Sequence, residues 1–130
     1  MSILDRLLGT YEETLHGDWK NMTQEDQIQE VLQSSYGKPV VIFKHSTRCG
    51  TSSMAKHTLE TGWDFEKGDL DFYYLDLITY RQISNNIAQT FKVSHHSPQI
   101  IVIKDGLAVY DTSHHNISIG NLRNALKAIT

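Results

Sequence analysis

A single cysteine, Cys49, in a chain of 130 residues excludes an intrachain disulfide and any zinc site built from several thiolates. That usage suits a reducing compartment, and the expected location is the cytoplasm. Only 2 Pro and 8 Gly are present, too few for a collagen-like or Pro/Gly-rich disordered chain. An excess of basic charge is also missing. Twelve Lys and Arg stand against 15 Asp and Glu, a formal net charge of −3, so no broad basic surface is available to follow a phosphate backbone. Nucleic acid is therefore not an expected partner. No apolar run approaches the roughly 20 residues of a membrane span, and Asp5, Arg6, Glu12 and Glu13 interrupt the stretch where a signal peptide would carry its apolar core. The chain is expected to be neither exported nor embedded. What is present is an ordinary globular composition, 39% hydrophobic and 21% charged, in a length that suits one domain able to bury its core unaided.

Residues 1–17 carry an apolar stripe at helical spacing, Ile3, Leu4, Leu7, Leu8, Tyr11 and Leu15, behind a helix-start pair, Ser2 and Asp5. This amphipathic helix has Arg6 as its one cation, unlike a membrane-surface anchor, so it is expected to pack on the domain or on a second subunit. Residues 18–130 read as one domain. A short strand over 19–22 and a helix opened by Thr23 and Asp26, with Ile28, Val31 and Leu32 on one face, lead to a stop near Gly37. Val40-Val41-Ile42-Phe43 is β-branched and continuously apolar, the pattern of a strand buried on both faces. A helix is expected from about residue 49 to 60, with Met54, Ala55, Thr58 and Leu59 inward and Gly62 ending it. Then come a strand over 72–77, a helix with Ile83, Ile87 and Phe91 as its stripe, and a strand over Gln99–Lys104. The hairpin signal Asp105-Gly106, a strand over 107–110 and a helix capped by Ser118, with Leu122, Ala125, Leu126 and Ile129 inward, complete the chain. Trp19, Trp63, Tyr73 and Tyr74 read as packing residues. The order β-α-β-α-β-α-β-β-α implies a mostly parallel sheet with helices on both faces and an antiparallel hairpin at one edge.

Cys49 falls where strand gives way to helix, between His45-Ser46-Thr47-Arg48 and Gly50-Thr51-Ser52. The unpaired N–H groups and positive dipole end of a helix N-terminus favour a thiolate, and Arg48 and Lys44 can add to this. A lone cysteine is otherwise a small buried hydrophobe; its polar flanks argue for chemistry. A thiol held as thiolate gains little as an attacking group, because the larger thiolate fraction is offset by weaker intrinsic nucleophilicity, but it gains as a leaving group. That suits a shuttle that takes up a thiol and passes it on. Ser52, at i+3, is either an exposed helix serine or a hydrogen-bond donor to the Cys49 sulfur. His45 is either satisfied by backbone groups or a proton-transfer partner, and Thr47 is expected to cap the helix. His95-His96 and His114-His115 invite a metal, but adjacent histidines on a strand point to opposite faces and no carboxylate or cysteine completes a set, so none is expected.

The element order, the cysteine opening the helix after the second strand, and Pro98 just before the fourth strand together resemble the thioredoxin fold over about residues 19–129. More closely, Val41-Ile42-Phe43-Lys44-His45-Ser46-Thr47-Arg48-Cys49-Gly50-Thr51-Ser52 resembles the signature of the YtxJ-like monothiol bacilliredoxins, proteins of bacteria whose small thiol is bacillithiol. Gly50 stands where many members carry Pro. The resemblance implies an α/β, thioredoxin-like fold with a central mixed sheet flanked by helices, to which the N-terminal helix is an addition. It also implies a cis Pro98, with the Ser97 backbone orienting a bound chain and His45 and Thr47 beside the substrate. The implied activity is monothiol thiol–disulfide exchange, in which Cys49, stabilised by Arg48 and Ser52, removes bacillithiol from protein mixed disulfides. No bound cofactor is implied; bacillithiol enters as co-substrate and thiol-modified proteins as partners. The absence of a second cysteine excludes dithiol chemistry. Two other readings stand beside this one: a module holding an iron–sulfur cluster between two subunits, and an inert thioredoxin-like interaction domain.

Overall fold

Every residue of the strand Val40–His45 is buried, which requires cover on both faces of the sheet. A computed structural model, which describes residues 15–129, shows how that cover is built. In chain order the elements are β1 (Trp19–Asn21), α1 (Gln27–Ser34), β2 (Val40–His45), α2 (Gly50–Gly62), β3 (Asp71–Asp76) and α3 (Arg81–Phe91). They continue with β4 (Gln99–Lys104), β5 (Leu107–Ser113), a 3-10 turn (His114–Asn116) and α4 (Ile119–Ala128). The expected helix over 1–17 lies outside the described residues as far as residue 14, and Gly17 and Asp18 form the turn into β1.

Strand alternation sorts the core into two layers. Val41, Phe43, Phe72, Tyr74, Ile100 and Val102 face α2 and α4 through Ala55, Leu59, Leu122 and Leu126. Val40, Ile42, Tyr73, Leu75, Ile101 and Ile103 face α1 and α3 through Ile28, Val31, Ile83 and Ile87. The aromatic residues pack as expected, with Trp19 stacked on Phe72 at 4.5 Å and edge-on to Trp63 at 5.7 Å. Asp105 (φ 52°) and Gly106 (φ 80°) both take the positive φ that a tight type I′ hairpin requires. Ser118 Oγ accepts the Asn121 N–H at 3.0 Å and caps α4. Among the described residues no helix is long and apolar enough to cross a membrane.

The sheet corrects one expectation. Its order is β1-β3-β2-β4-β5, with β1–β3 and β2–β3 parallel but β2–β4 and β4–β5 antiparallel, so it is evenly mixed rather than mostly parallel. The 92–98 segment is the cause. An 11-residue helix advances about 16 Å, and seven residues in extended form reach about 23 Å, enough to carry the chain back to the end of the sheet where α3 began. β4 then enters from that end.

A second correction concerns α2. Met54 is 71% exposed and Thr58 is exposed; the buried stripe is Ser52, Ala55, Lys56 and Leu59. Those positions follow i, i+3, i+4, i+7, but two of them are polar, which disguised the stripe. Lys56 keeps its ammonium paired with Glu60 at 2.8 Å.

Candidate active site

The chain leaves β2 through a four-residue turn in which the Cys49 N–H donates to Ser46 O at 3.2 Å, with Thr47 and Arg48 exposed at its corner. Cys49 has extended backbone (φ −113°, ψ 122°) and is itself the N-cap of α2; the Ser53 N–H donates to Cys49 O at 3.0 Å as the first helical bond. Thr47, expected to cap this helix, therefore does not: the turn consumes Ser46 to Cys49 before the helix can start. The half-buried Cys49 makes no side-chain capping bond. The first N–H groups of α2 lack intrahelical acceptors, no acidic side chain lies in its first turn, and Arg48 precedes it, so this terminus attracts negative charge.

Ser52 is not an exposed helix serine. It is fully buried, and its Oγ accepts the Ser46 N–H at 2.9 Å and lies 2.9 Å from His45 Nδ1. His45 is 1% exposed, its ring 5.7 Å from Phe43 and 5.4 Å from Tyr74. The first turn of α2 is thus stapled to the end of β2 beneath the turn that presents Cys49.

Lys44, one residue earlier on β2, projects to the opposite face. It is fully buried, with Nζ donating to Ser84 O at 3.1 Å and lying 3.5 Å from His95 Nδ1; Ser84 Oγ is 3.4 Å from the same nitrogen. Burial, and then the charge of Arg81, pushes the Lys44 ammonium down to about 8. Burial, then Lys44, Arg81 and His96, pushes His95 down as well.

The Ser97–Pro98 peptide is cis. The last β2–β4 pair is Lys44↔Gln99, so Pro98 stands one register step further on, beside His45. Buried Gln99 shapes the bend before the proline: Nε2 donates to Ser94 O at 2.9 Å and Oε1 accepts the His96 N–H at 3.4 Å. Pro98 O accepts the His114 N–H at 3.2 Å, and Ser97 Oγ is buried with no hydrogen-bond partner among the described residues. A cavity of about 110 Å³ between α2 and the 3-10 turn is lined by Thr51, Met54 and His115. A larger one, about 430 Å³, lies around Trp19 and Asp71, at the end of the sheet remote from Cys49. No three His, Cys, Asp or Glu among the described residues are grouped to hold a metal ion.

The family model for the monothiol bacilliredoxin BrxC matches residues 20–122, a span that includes the turn, Cys49, Ser52 and the cis proline. The chain belongs to the monothiol bacilliredoxin family. Among solved structures, a protein described as an oxidoreductase with a thioredoxin fold is 29% identical, with a TM-score of 0.69 over 84% of this chain and 94% of that chain. The thioredoxin of Malassezia sympodialis is 22% identical (TM-score 0.67, covering 91% of this chain and 96% of that one). Spinach chloroplast thioredoxin f is 19% identical (TM-score 0.65, covering 90% and 97%). The last two share the fold alone. The bacilliredoxin match and this architecture make the chain a thioredoxin-like redox protein.

Two groupings at the site escaped sequence reasoning. The His45–Ser52 contact joins residues seven apart across a turn, and the pattern His-x₆-Ser across a strand-to-helix junction is the only signal that could have suggested it. The Lys44–Ser84–His95 cluster joins three elements and has no local signal.

Proposed function

We propose that this bacilliredoxin removes bacillithiol from protein mixed disulfides by a monothiol mechanism at Cys49. In the first step the Cys49 thiolate attacks the bacillithiol sulfur. The protein–bacillithiol S–S bond breaks, the target leaves as a thiolate that takes a proton from water, and a Cys49–bacillithiol disulfide forms. In the second step a free thiol, as its thiolate, attacks the bacillithiol sulfur and releases the Cys49 thiolate. No net oxidation occurs in either step, because each exchanges one disulfide for another. Bacillithiol is substrate throughout. Arg48 and the α2 N-terminus favour the thiolate as the leaving group, Ser52 donates a hydrogen bond to it, and the Ser97–Pro98 backbone orients the target. The expected setting is the cytoplasm, where such adducts are reducible.

The observation that carries this reading is the position of Cys49: it is the sole cysteine of the chain and caps a helix with no acid in its first turn, in a member of the monothiol bacilliredoxin family. Incubation with equal amounts of bacillithiol disulfide and glutathione disulfide, followed by intact mass, tests it. A bacillithiol adduct on Cys49 should dominate. Equal or predominant glutathione adduct would remove the thiol specificity, and no adduct at all would remove the exchange activity.

A further inference from the structure

His114 and His115 have no role in the exchange steps, yet the sheet brings them to the site. Because β4 runs against β2 and β5 against β4, the start of β4 and the end of β5 meet at the end of the sheet where α2 begins. There the His114 N–H donates to Pro98 O at 3.2 Å, and the His114 ring lies 6.2 Å from that of His96. The 3-10 turn faces α2 across the cavity of about 110 Å³. Its wall holds Thr51, Thr58, His114 and His115, four polar side chains that make no hydrogen bond or ion pair among the described residues. Met54 and Ile117 supply its apolar part, and it contains no acid. Hydroxyls and imidazole N–H groups donate hydrogen bonds, and a protonated imidazole adds positive charge, so this wall suits an anion. The space takes a few water-sized groups, enough for a carboxylate and its nearest carbons and too little for a stretch of polypeptide. Thr51 is the second residue of α2. Only Gly50 separates it in sequence from Cys49, and nothing lies within 4 Å of where a Gly50 side chain would begin.

We propose that this cavity is a subsite for a carboxylate of the small thiol that Cys49 carries, with His114 and His115 as its hydrogen-bond donors. The inference deepens the reading of Cys49 as the reacting sulfur and rests on it. When the Cys49 thiolate attacks a symmetric disulfide, the S–S bond breaks, one half leaves as a thiolate, and the other half stays on Cys49 as a mixed disulfide. The retained half is tethered at the start of α2, and a carboxylate on it that reaches the cavity exchanges part of its water for imidazole N–H groups. Disulfides that bear carboxylates are therefore preferred over neutral ones of the same length. His114 makes the preference separable from folding. Its φ of 55° lies in the left-handed region, which glycine adopts at no steric cost, so His114→Gly removes the imidazole without opposing the backbone.

The test is the rate of adduct formation on Cys49, by intact mass, for the wild type, His114→Gly, His115→Gln and the double variant. The probes are symmetric disulfides with two, three or five methylenes between sulfur and carboxylate, so that reach is varied rather than assumed, each paired with its primary amide. Taking the carboxylate-to-amide ratio cancels the intrinsic reactivity of each chain length, and Arg48 is the same in every form. The double variant should lower this ratio about tenfold at the chain length that reaches the cavity, the scale of one hydrogen bond to a charged group, and the single variants should lower it less. A merely structural role for the two histidines would slow both probes and leave the ratio unmoved, and a ratio unmoved at all three lengths would overturn the proposal. Should a variant fail to fold, proton NMR of the histidine rings in the wild type decides. Signals of His114 and His115 that move on loading Cys49 with the carboxylate probe, but not with the amide, support the subsite; equal movement with both ends it. Bacillithiol takes no part in this assay. A protein that shows the carboxylate preference yet takes up no bacillithiol overturns the proposed function alone, and one that takes up bacillithiol with the ratio unmoved overturns the subsite alone.

Discussion

Lys44 Nζ and His95 Nδ1 meet at 3.5 Å, tying the strand that leads to Cys49 to the segment that leads to cis Pro98. No ion pair among the described residues supplies Lys44 with a carboxylate. The contact is attractive only while the ring nitrogen is an acceptor, and His95 is shifted in the direction that keeps it so, pushed toward its neutral form; Lys44, pushed down to about 8, still carries its charge at neutral pH. A cation held by a carbonyl and an imidazole alone is a site of stored electrostatic cost, with consequences for pH dependence.

On the alkaline side, the folded state releases the Lys44 proton near pH 8 and the unfolded chain near 10.5. Between those values the unfolded chain binds more protons, so stability rises with pH, by up to about 3 kcal/mol across the window. Tyr73 opposes from pH 10 upward, because burial, then Glu30 and Asp71, push its hydroxyl up to about 12 and the folded state there keeps the extra proton. Urea unfolding at pH 7.5, 9, 10 and 11 should therefore show a maximum near pH 10. Lys44→Met should lose the climb and keep the fall.

On the acid side the sign is the usual one for a depressed group. Protonation of His95 is disfavoured in the folded state by burial first and by Lys44, Arg81 and His96 next, so stability present above pH 6.5 is lost as pH falls below it. His95→Gln, which keeps an acceptor for Lys44, should flatten the decline between pH 6.5 and 5 in the same unfolding assay. An unchanged decline would place its origin elsewhere.

Two residues that look alike as caps should behave differently. Ser118 Oγ accepts the Asn121 N–H at 3.0 Å, and Ser118→Ala should cost about 1 kcal/mol of stability with thiol exchange unaltered. Thr47 is exposed in the turn and caps nothing, so Thr47→Ala should leave the unfolding midpoint where it is. Equal losses in the two variants would mean that the Thr47 hydroxyl caps α2 in solution.

The architecture was legible because the strongest signals were local: the apolar run of β2, the Asp105-Gly106 turn and the Ser118 cap each specify their element without help from the rest of the chain. Cys49 was legible for the same reason, as one cysteine among polar residues at a strand-to-helix junction. The direction of β4 was not, because it depends on how far the 92–98 segment travels rather than on its composition. The inward face of α2 was hidden by Ser52 and Lys56, two polar residues buried for tertiary reasons. The roles of Lys44 and His45 follow from strand alternation, which sends them to opposite faces, but their partners Ser84, His95 and Ser52 come from three separate elements. Burying a lysine and a histidine side by side runs against every local preference, and only the folded arrangement shows what satisfies them.

Arg48 is exposed in the turn next to Cys49, so any effect of its charge on the sulfur should be modest and screened by salt. Arg48→Ala should slow alkylation at neutral pH a few-fold in low salt, and the difference should shrink at about 1 M salt, where the Debye length is about 3 Å. A difference independent of salt would mean that Arg48 shapes the turn rather than the charge.

The way the reaction ends is set by the cysteine count. With Cys49 alone, an adduct on its sulfur has no intramolecular thiol to displace it and must persist until an external thiol arrives. Reaction with an equimolar bacillithiolated target should leave stoichiometric bacillithiol on Cys49 by intact mass, released afterwards at a rate linear in added thiol. Cys49→Ser should abolish uptake. Ser52→Ala should only slow release, since it removes a hydrogen bond, although it also strands the Ser46 N–H and should lower stability by about 1–3 kcal/mol. Ser52→Cys should change the kinetic order: it places a second thiol at i+3, on the turn of α2 where Ser52 already lies buried beneath the turn that presents Cys49. The adduct should then be ejected without added thiol as an internal disulfide forms between residues 49 and 52, with bacillithiol released as the free thiol. Were the wild type to shed its adduct at the same rate with no thiol present, the monothiol mechanism would fail, because nothing else in the chain can accept the disulfide.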